Sequence, residues 1–436
     1  MSVRLVMAAL GVVLAGAALA ADKVAPGDWP QWRGPNRDGK STEKGLLQVW
    51  PKDGPPKLWT AEGLGVGFGT PSVAAGKIFG MGSRGNKDGV WAINEADGKE
   101  LWFTPLDDNR NPNQMIGSGC APTYADGKLY VVTNKNGVVA KLDATTGKVD
   151  WQKSYVKDFG AGTPSWGFND SVLIDGDKVI CAPCGKKGAV AALKVQDGSV
   201  IWATTEKPGG GAGYSSPVKA VVDGVPMYVV LLGKGTGVVG VHADTGKLLW
   251  NYAKVTSGVA AIPTVIVQGN SVWCSCGYPD GGSGLVKLTA KGKGEFTAEE
   301  VVYYSSKELQ NQHGGMILLD GYVYFGNRHG QGHPACVDLK TGDVMWKEKQ
   351  GAAGGGGSAA ITFADGRLYY RYQNGVMVLM EPNPKGMKVV SSFKLPPPND
   401  PKKYSQSWPH PVIANGKLYI RDQNLLHCFN VKGKSI

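Results

Sequence analysis

"LDATTGKVDW", residues 142–151, sets an Asp, a Thr-Gly pair and a Trp at fixed offsets, and "VDLKTGDVMW", residues 337–346, repeats the spacing. Asp143 and Asp338 open a turn at which Gly147 and Gly342 supply the positive φ that other residues resist; the β-forming residues that follow end on the aromatic. Shorter versions lie elsewhere: "GKELW" to Trp102, "GSVIW" to Trp202 and "GKLLW" to Trp250. From Trp102 the steps to Trp151, Trp202 and Trp250 are 49, 51 and 48 residues, and Trp346 follows after 96, two such units. Tyr304 is expected in the Trp place of the unit between, and a further unit ends near Phe393. A period in this range marks a propeller or a solenoid.

A second marker fixes the count. Gly76, Gly127, Gly176, Gly224, Gly269, Gly321, Gly366 and Gly416 each sit in a tight turn between two β-rich runs, as a two-residue hairpin requires. Eight hairpins predict an all-β fold, a single eight-bladed β-propeller with four-stranded blades (strands A to D). The eighth unit supplies only three strands, and "PPKLWT", carrying Trp59, is a D strand without a blade. The N-terminal strand therefore completes the last blade, which removes the open edges that a sheet must otherwise protect.

Composition agrees with many short strands: 436 residues hold 64 Gly, 13 Trp and 16 Tyr. Residues 1–20 read as a signal peptide, one Arg and an apolar run ending in Ala18-Leu19-Ala20, with cleavage before Ala21. Residues 21–56 then form an N-terminal extension and 57–436 the propeller. The mature chain is expected to be a monomer without a transmembrane segment, periplasmic or secreted. Of the seven cysteines, Cys181 and Cys184 form a local disulfide or remain buried thiols in preference to binding metal; the others fill the core. A net charge of +11 favours an acidic partner. Nucleic acid does not fit an exported chain with no recognition helix.

The short A–B and C–D turns belong to one face of the ring, so the variable D–A and B–C connections belong to the other, where binding residues are expected. Around the central mouth this places Phe68, Trp166, Phe168, Asn169, Tyr214, Gln312, His313, Trp408 and His410 as ligand-binding candidates, with Arg328 and Arg371 as cations. Arg84, Lys87, Lys135, Lys186, Lys187, Lys234 and Arg421 fall in or beside the same loops, against Asp88, Asp280 and Asp422. His313 and His410 are the candidates for acid/base chemistry, but no nucleophile, base and orienting acid can be assembled. The alternative is that these rings only plug the channel.

The Asp, Thr-Gly and Trp spacing resembles the tryptophan-docking repeat of quinoprotein alcohol dehydrogenases, a repeat that the outer-membrane assembly factor BamB shares. "DWPQWRGPNRDGKS", residues 28–41, and "NQHGG", residues 311–315, are similar to exported PQQ-like propellers of Planctomycetes. The resemblance implies the eight-bladed fold and leaves function open. The dehydrogenases carry two adjacent cysteines and a Glu, Asn and Asp calcium set; this chain has no Cys-Cys dipeptide and no matching ligands. The expectation is a non-catalytic exported propeller that binds a protein partner or anionic polysaccharide, with no metal and PQQ with calcium disfavoured as a cofactor. The alternative is a PQQ-dependent oxidoreductase of alcohols or carbohydrates.

Overall fold

The structure, a computed structural model, describes residues 24–108, 117–206, 213–292, 294–397 and 407–433. The leader-like stretch lies outside them. Eight four-stranded antiparallel sheets stand around a common axis, and the chain is an eight-bladed β-propeller. Blade 1 is Ser72–Ala74, Lys77–Arg84, Lys87–Asn94 and Glu100–Asp108. Blades 2 to 7 repeat this order, and blade 8 is Val412–Ala414, Lys417–Asp422 and Leu425–Asn430. Its fourth strand is Lys57–Ala61, which pairs antiparallel with Leu425–Asn430, as expected for the closing strand.

Each C–D pair carries a register shift just before the docking position: between Ala92 and Ile93, Lys141 and Leu142, and Ala192 and Leu193, and likewise in the remaining blades. In blade 8 it falls between Lys57 and Trp59. A bulge puts two residues opposite one and sharpens the twist. The extra residue, such as Leu58 or Leu101, turns out to solvent, while the next one, Trp59 or Trp102, points along the ring to the neighbouring blade.

There the ring meets a glycine. A Cβ at Gly98, Gly147 or Gly198 would come within 2.6–2.7 Å of a six-ring carbon of Trp59, Trp102 or Trp151 respectively, and Gly246 stands in the same way under Trp202. Two expected positions change identity. In blade 5 the docking residue is Val302, packed on Gly342, because the bulge leaves Val302 opposite Leu285; Tyr304, two residues on, donates its hydroxyl to the Gly342 carbonyl at 3.0 Å. In blade 7 that register falls on Ser391, and Phe393 covers Gly54.

Of residues 24–56, expected as an N-terminal extension, 28–41 enter the channel of the ring. Trp29 forms a two-way backbone bridge with Val73 of blade 1, and the Pro30 carbonyl accepts from Tyr124 of blade 2. The chain reverses through left-handed residues at Arg33, Gly34, Arg37 and Gly39. It returns along blades 7 and 8, where Lys40 bridges Phe363, the Ser41 amide donating to the Phe363 carbonyl at 2.8 Å, and the Ser41 hydroxyl donates to the Ile413 carbonyl at 2.9 Å. Beyond Glu43 the segment crosses the turn face, and Trp50 packs on Tyr369 and Phe393 in the blade 7–8 seam that lacks a tryptophan of its own.

Gly98 and Gly127 test the docking directly, since both are left-handed (φ 73° and 74°) but nothing lies within 4 Å of a Cβ at Gly127. Gly127→Ala should lose about 1 kcal/mol through backbone strain alone. Gly98→Ala, at the seam where Trp59 closes the ring, should lose roughly 2–4 kcal/mol by adding overpacking. Equal urea midpoints for the two variants would show that the ring contact does not hold the seam.

Candidate functional site

The tip of the inserted loop forms the floor of the mouth. Two buried arginines hold it there by donating to backbone carbonyls. Arg33 bonds the carbonyls of Asp38 at 3.0 Å, Arg37 at 3.3 Å and, across the channel, Met316. Arg37 bonds those of Ser171 at 2.8 Å and Val172 at 3.0 Å. Burial lowers Arg33 to about 10 and Arg37 to about 9, with Asp38 and Asp170 opposing the drop, so both stay charged at neutral pH. Trp32 between them donates its indole N–H to Thr264 at 2.9 Å and lies 4.7 Å from the His410 ring.

Above Trp32 the D–A connections make an aromatic bowl of about 110 Å³. Phe68, Trp166, Asn169, Tyr214, His313, Trp408 and His410 of the sequence candidates line it. Trp408 is the hub: Phe68 and His313 pack on it at 4.6 and 4.7 Å, Trp166 meets it edge-on at 6.3 Å, and its N–H reaches Gln373 at 3.1 Å. Most polar groups in the wall hold neighbouring loops. Asn169 accepts from the Gly119 amide at 2.7 Å, Tyr214 from the Trp166 amide at 3.1 Å and Thr70 from the His410 amide at 3.0 Å. His410 donates through Nε2 to the His313 carbonyl at 3.0 Å, which fixes its tautomer.

His313 differs. The residue is partly exposed, yet both ring nitrogens are shut from water and neither has a hydrogen-bond partner. Burial, reinforced by His410 and His329, lowers it to about 3; burial with Arg33 and Arg371 lowers His410 to about 3. Both imidazoles are neutral at physiological pH, and the mouth carries no charge from them.

The remaining candidates lie elsewhere. Phe168 is buried in the seam between blades, edge-on to Tyr155 at 5.3 Å, because its backbone is tied to the Asn134 carbonyl. Arg371 is buried beneath the mouth, donating to Pro409 at 3.0 Å and to Ser407, and paired with Asp422 at 3.5 Å. It positions the Trp408 loop and offers a ligand nothing. Gln312 sits behind the wall, accepting from Gly330 and Ser358 and donating to Tyr278 at 3.3 Å. Arg328 is exposed on the adjoining loop, where His329 packs on Tyr278 at 4.5 Å.

The expected charged face shrinks for the same reason. Arg421 is buried under Trp91, bonding the carbonyls of Gln423, Gly65 and Gly69; Asp88 and Asp422 are buried too. Arg84 pairs with Glu100 and Lys87 with Asp108. Lys135 lies 3.9 Å from Asp108, and of the other expected loop cations Lys186, Lys187, Lys234 and Arg328 are exposed. All seven cysteines are free and buried, Cys181 and Cys184 included, so the open choice between disulfide and thiol resolves to thiols. Among the described residues no three His, Cys, Asp or Glu side chains are grouped to hold a metal.

Trp32, Tyr278 and Ile262 also line the bowl and were not singled out in the sequence. A signal existed for Trp32: two tryptophans and two arginines within residues 28–41 are poor material for a solvated tail.

A sequence model described as "Outer membrane protein assembly factor BamB" matches residues 45–161 and 86–348. BamB of Yersinia pestis is 25% identical over 333 residues, covering 72% of this chain and 76% of that protein. In structure the chain is similar to BamB of Moraxella catarrhalis, with TM-score 0.59 and 14% identity over 86% of this chain and 99% of the other. The quinohemoprotein alcohol dehydrogenase of Comamonas testosteroni gives TM-score 0.63 and 14% identity over 95% and 82%.

The depressed His313 sets a pH dependence. Its folded value of about 3 lies below the ordinary 6.5, so its contribution is present above pH 6.5 and lost as pH falls toward 3. Asp88 and Asp170, raised to about 6 chiefly by burial, act oppositely, their contribution being lost as pH rises from about 4 to 6. His313→Phe leaves those groups in place. The unfolding free energy of wild type minus variant should fall by up to about 3 kcal/mol between pH 6.5 and 4; a constant difference would mean the imidazole is not held neutral.

Proposed function

Because the chain belongs to the family of outer membrane protein assembly factor BamB, we propose that it is a non-catalytic propeller that holds a protein partner on its mouth face. The observation that carries this is the asymmetry of the two faces. One carries the short turns and is crossed by the segment beyond Glu43, whereas the other gathers an aromatic bowl and the exposed cations Lys186, Lys187, Lys234 and Arg328. Aromatic anchors within a polar, charged rim are the usual anatomy of a protein-binding surface. The cations favour an acidic partner, and an anionic polysaccharide would answer the same charge. Work at the outer membrane would place the chain in an exported compartment, which suits the leader-like first 20 residues. No helix among the described residues is long and apolar enough to cross a membrane.

The alternative, a PQQ-dependent oxidoreductase, has the fold likeness to the Comamonas enzyme behind it. The bowl does not suit that cofactor. PQQ is a flat tricarboxylate and needs cations at its edge. Among the described residues the bowl is lined by no charged side chain, and Arg371, the nearest expected cation, is already committed to Asp422, Ser407 and Pro409. Calorimetric titration with PQQ and calcium should show no saturable micromolar binding; stoichiometric uptake with dye reduction would make the enzyme reading the better one.

A photo-crosslinking residue at Thr163 or Val259, both exposed on mouth loops, should yield protein adducts in the native cell envelope. The same residue at Asp97 or Asp197, exposed on the turn face, should yield few. Reversing Lys186, Lys187 and Arg328 to Glu should lower the mouth adducts several-fold at low salt and much less at high salt. Equal adducts from both faces would sink the proposal.

A further inference from the structure

We infer that the bowl is a socket for one phenolic ring, the side chain of a tyrosine on the partner; this rests on the protein-binding reading and names what that surface grips. Space comes first. The bowl, at about 110 Å³ and open above, is smaller than the cavity of about 150 Å³ that encloses one benzene, so a ring seated in it keeps one edge in the opening and leaves no room for a second. Its walls are Trp32, Phe68, Trp166 and Trp408, whose faces and edges suit offset or edge-on contact with another aromatic.

Hydrogen-bond accounting then narrows the ring. The Thr70 hydroxyl accepts from His410, Ser171 from Ala121 and Ser216 from Ser171, while Asn169 is bonded through both its oxygen and its nitrogen. His410 spends its Nε2 proton on the His313 carbonyl. Only His313, among the polar side chains named here, keeps both ring nitrogens without a partner and closed to water. A buried polar atom left unpaired in a native site calls for an explanation. A sugar, with a hydroxyl on nearly every carbon, would set many of them against a lining that is mainly apolar. A charged ring would find no counter-charge, since burial keeps His313 and His410 neutral. A phenol brings one hydroxyl at the far end of an apolar ring. Both nitrogens are closed to water while the bowl is empty, so pairing with that hydroxyl requires the His313 imidazole to turn about its Cβ–Cγ bond and present one of them.

The test uses tryptophan fluorescence of the intact protein titrated with N-acetyl-tyrosinamide, N-acetyl-phenylalaninamide, N-acetyl-leucinamide and methyl glucoside. The tyrosine probe should bind saturably and about 5–10-fold more tightly than the phenylalanine probe, as expected for one hydrogen bond. His313→Phe should erase that preference while keeping ring binding, and Ile262→Trp, which fills the bowl, should abolish both. Urea midpoints establish that each variant is folded; should His313→Phe fail, His313→Gln supplies the comparison, keeping one donor and one acceptor and hence a residual preference. Equal binding of the tyrosine and phenylalanine probes, preference for leucinamide or glucoside, or no saturable binding overturns the inference. Adducts at Thr163 and Val259 that persist undiminished in Ile262→Trp would also overturn it while leaving protein binding on this face intact; their loss in that variant supports both.

Discussion

An indole laid on a bare glycine joins one blade to the next at the four consecutive seams from blade 8 round to blade 4, and the rest of the molecule depends on that contact. A four-stranded blade buries only one face against each neighbour and cannot stand alone, so its stability is borrowed from the seam. The bulge ahead of each docking residue gives the strand the twist to reach across, and the left-handed glycine clears the space where the ring lands. Trp59 on Gly98 and Phe393 on Gly54 extend the arrangement to the seams on either side of blade 8, where the two ends of the chain meet. Closure is thus the same contact used once more with strands from opposite ends of the sequence.

Eight blades leave a channel too wide for the innermost side chains to fill, and this chain fills it with its own residues 28–41. The filling is polar at its centre, an unusual choice that the carbonyls explain. Arg33 and Arg37 present planar donor forks to backbone oxygens near the starts of the A strands of blades 3 and 6, and so stitch across the ring where blades do not touch one another. Asp170 keeps a counter-charge near Arg37, and Tyr155 donates to that carboxylate at 2.8 Å. The same pattern recurs where Arg371 meets Asp422 and Arg421 lies near Asp88. Cations in the centre of the ring are therefore structural, and the free positive charge is left to the outer loops.

Repetition made the fold legible and could not make the site legible. Trp102, Trp151, Trp202, Trp250 and Trp346 announce the blades because each fills the same register position in its D strand. Where the demand was met differently, reading by analogy slipped: one bulged residue moved the blade 5 docking role from Tyr304 to Val302. The mouth residues arise from irregular loops, so position relative to the hairpin glycine told which face they occupy but not which way they point. That is why Phe68 and Phe168, eight residues ahead of equivalent turns, part company, one entering the bowl and the other a seam. Arg371 and Arg421 misled for a related reason. They stand one residue before the end of strand B, next to loops where exposed cations are expected, but long side chains can turn inward wherever carbonyls and a carboxylate await them.

The electrostatics of the mouth separate what this propeller can do from what the fold can do elsewhere. A scaffold of eight blades offers a central depression in any case, and chemistry enters only through what lines it. Here the cations nearest the centre are spent on carbonyls and carboxylates, the histidines are held neutral by burial, and the surface that remains is aromatic. Such a lining has little means of stabilising charge that develops in a reacting substrate, the largest single contribution in most enzymes. It has ample means of gripping an apolar ring by contact area. The exposed lysines stand farther out, where charge steers an encounter more than it tightens a complex. Steering at the rim and burial at the centre are the division of labour that the proposed docking would use, and the inserted N-terminal loop, by bringing Trp32 to the floor, gives the centre its depth.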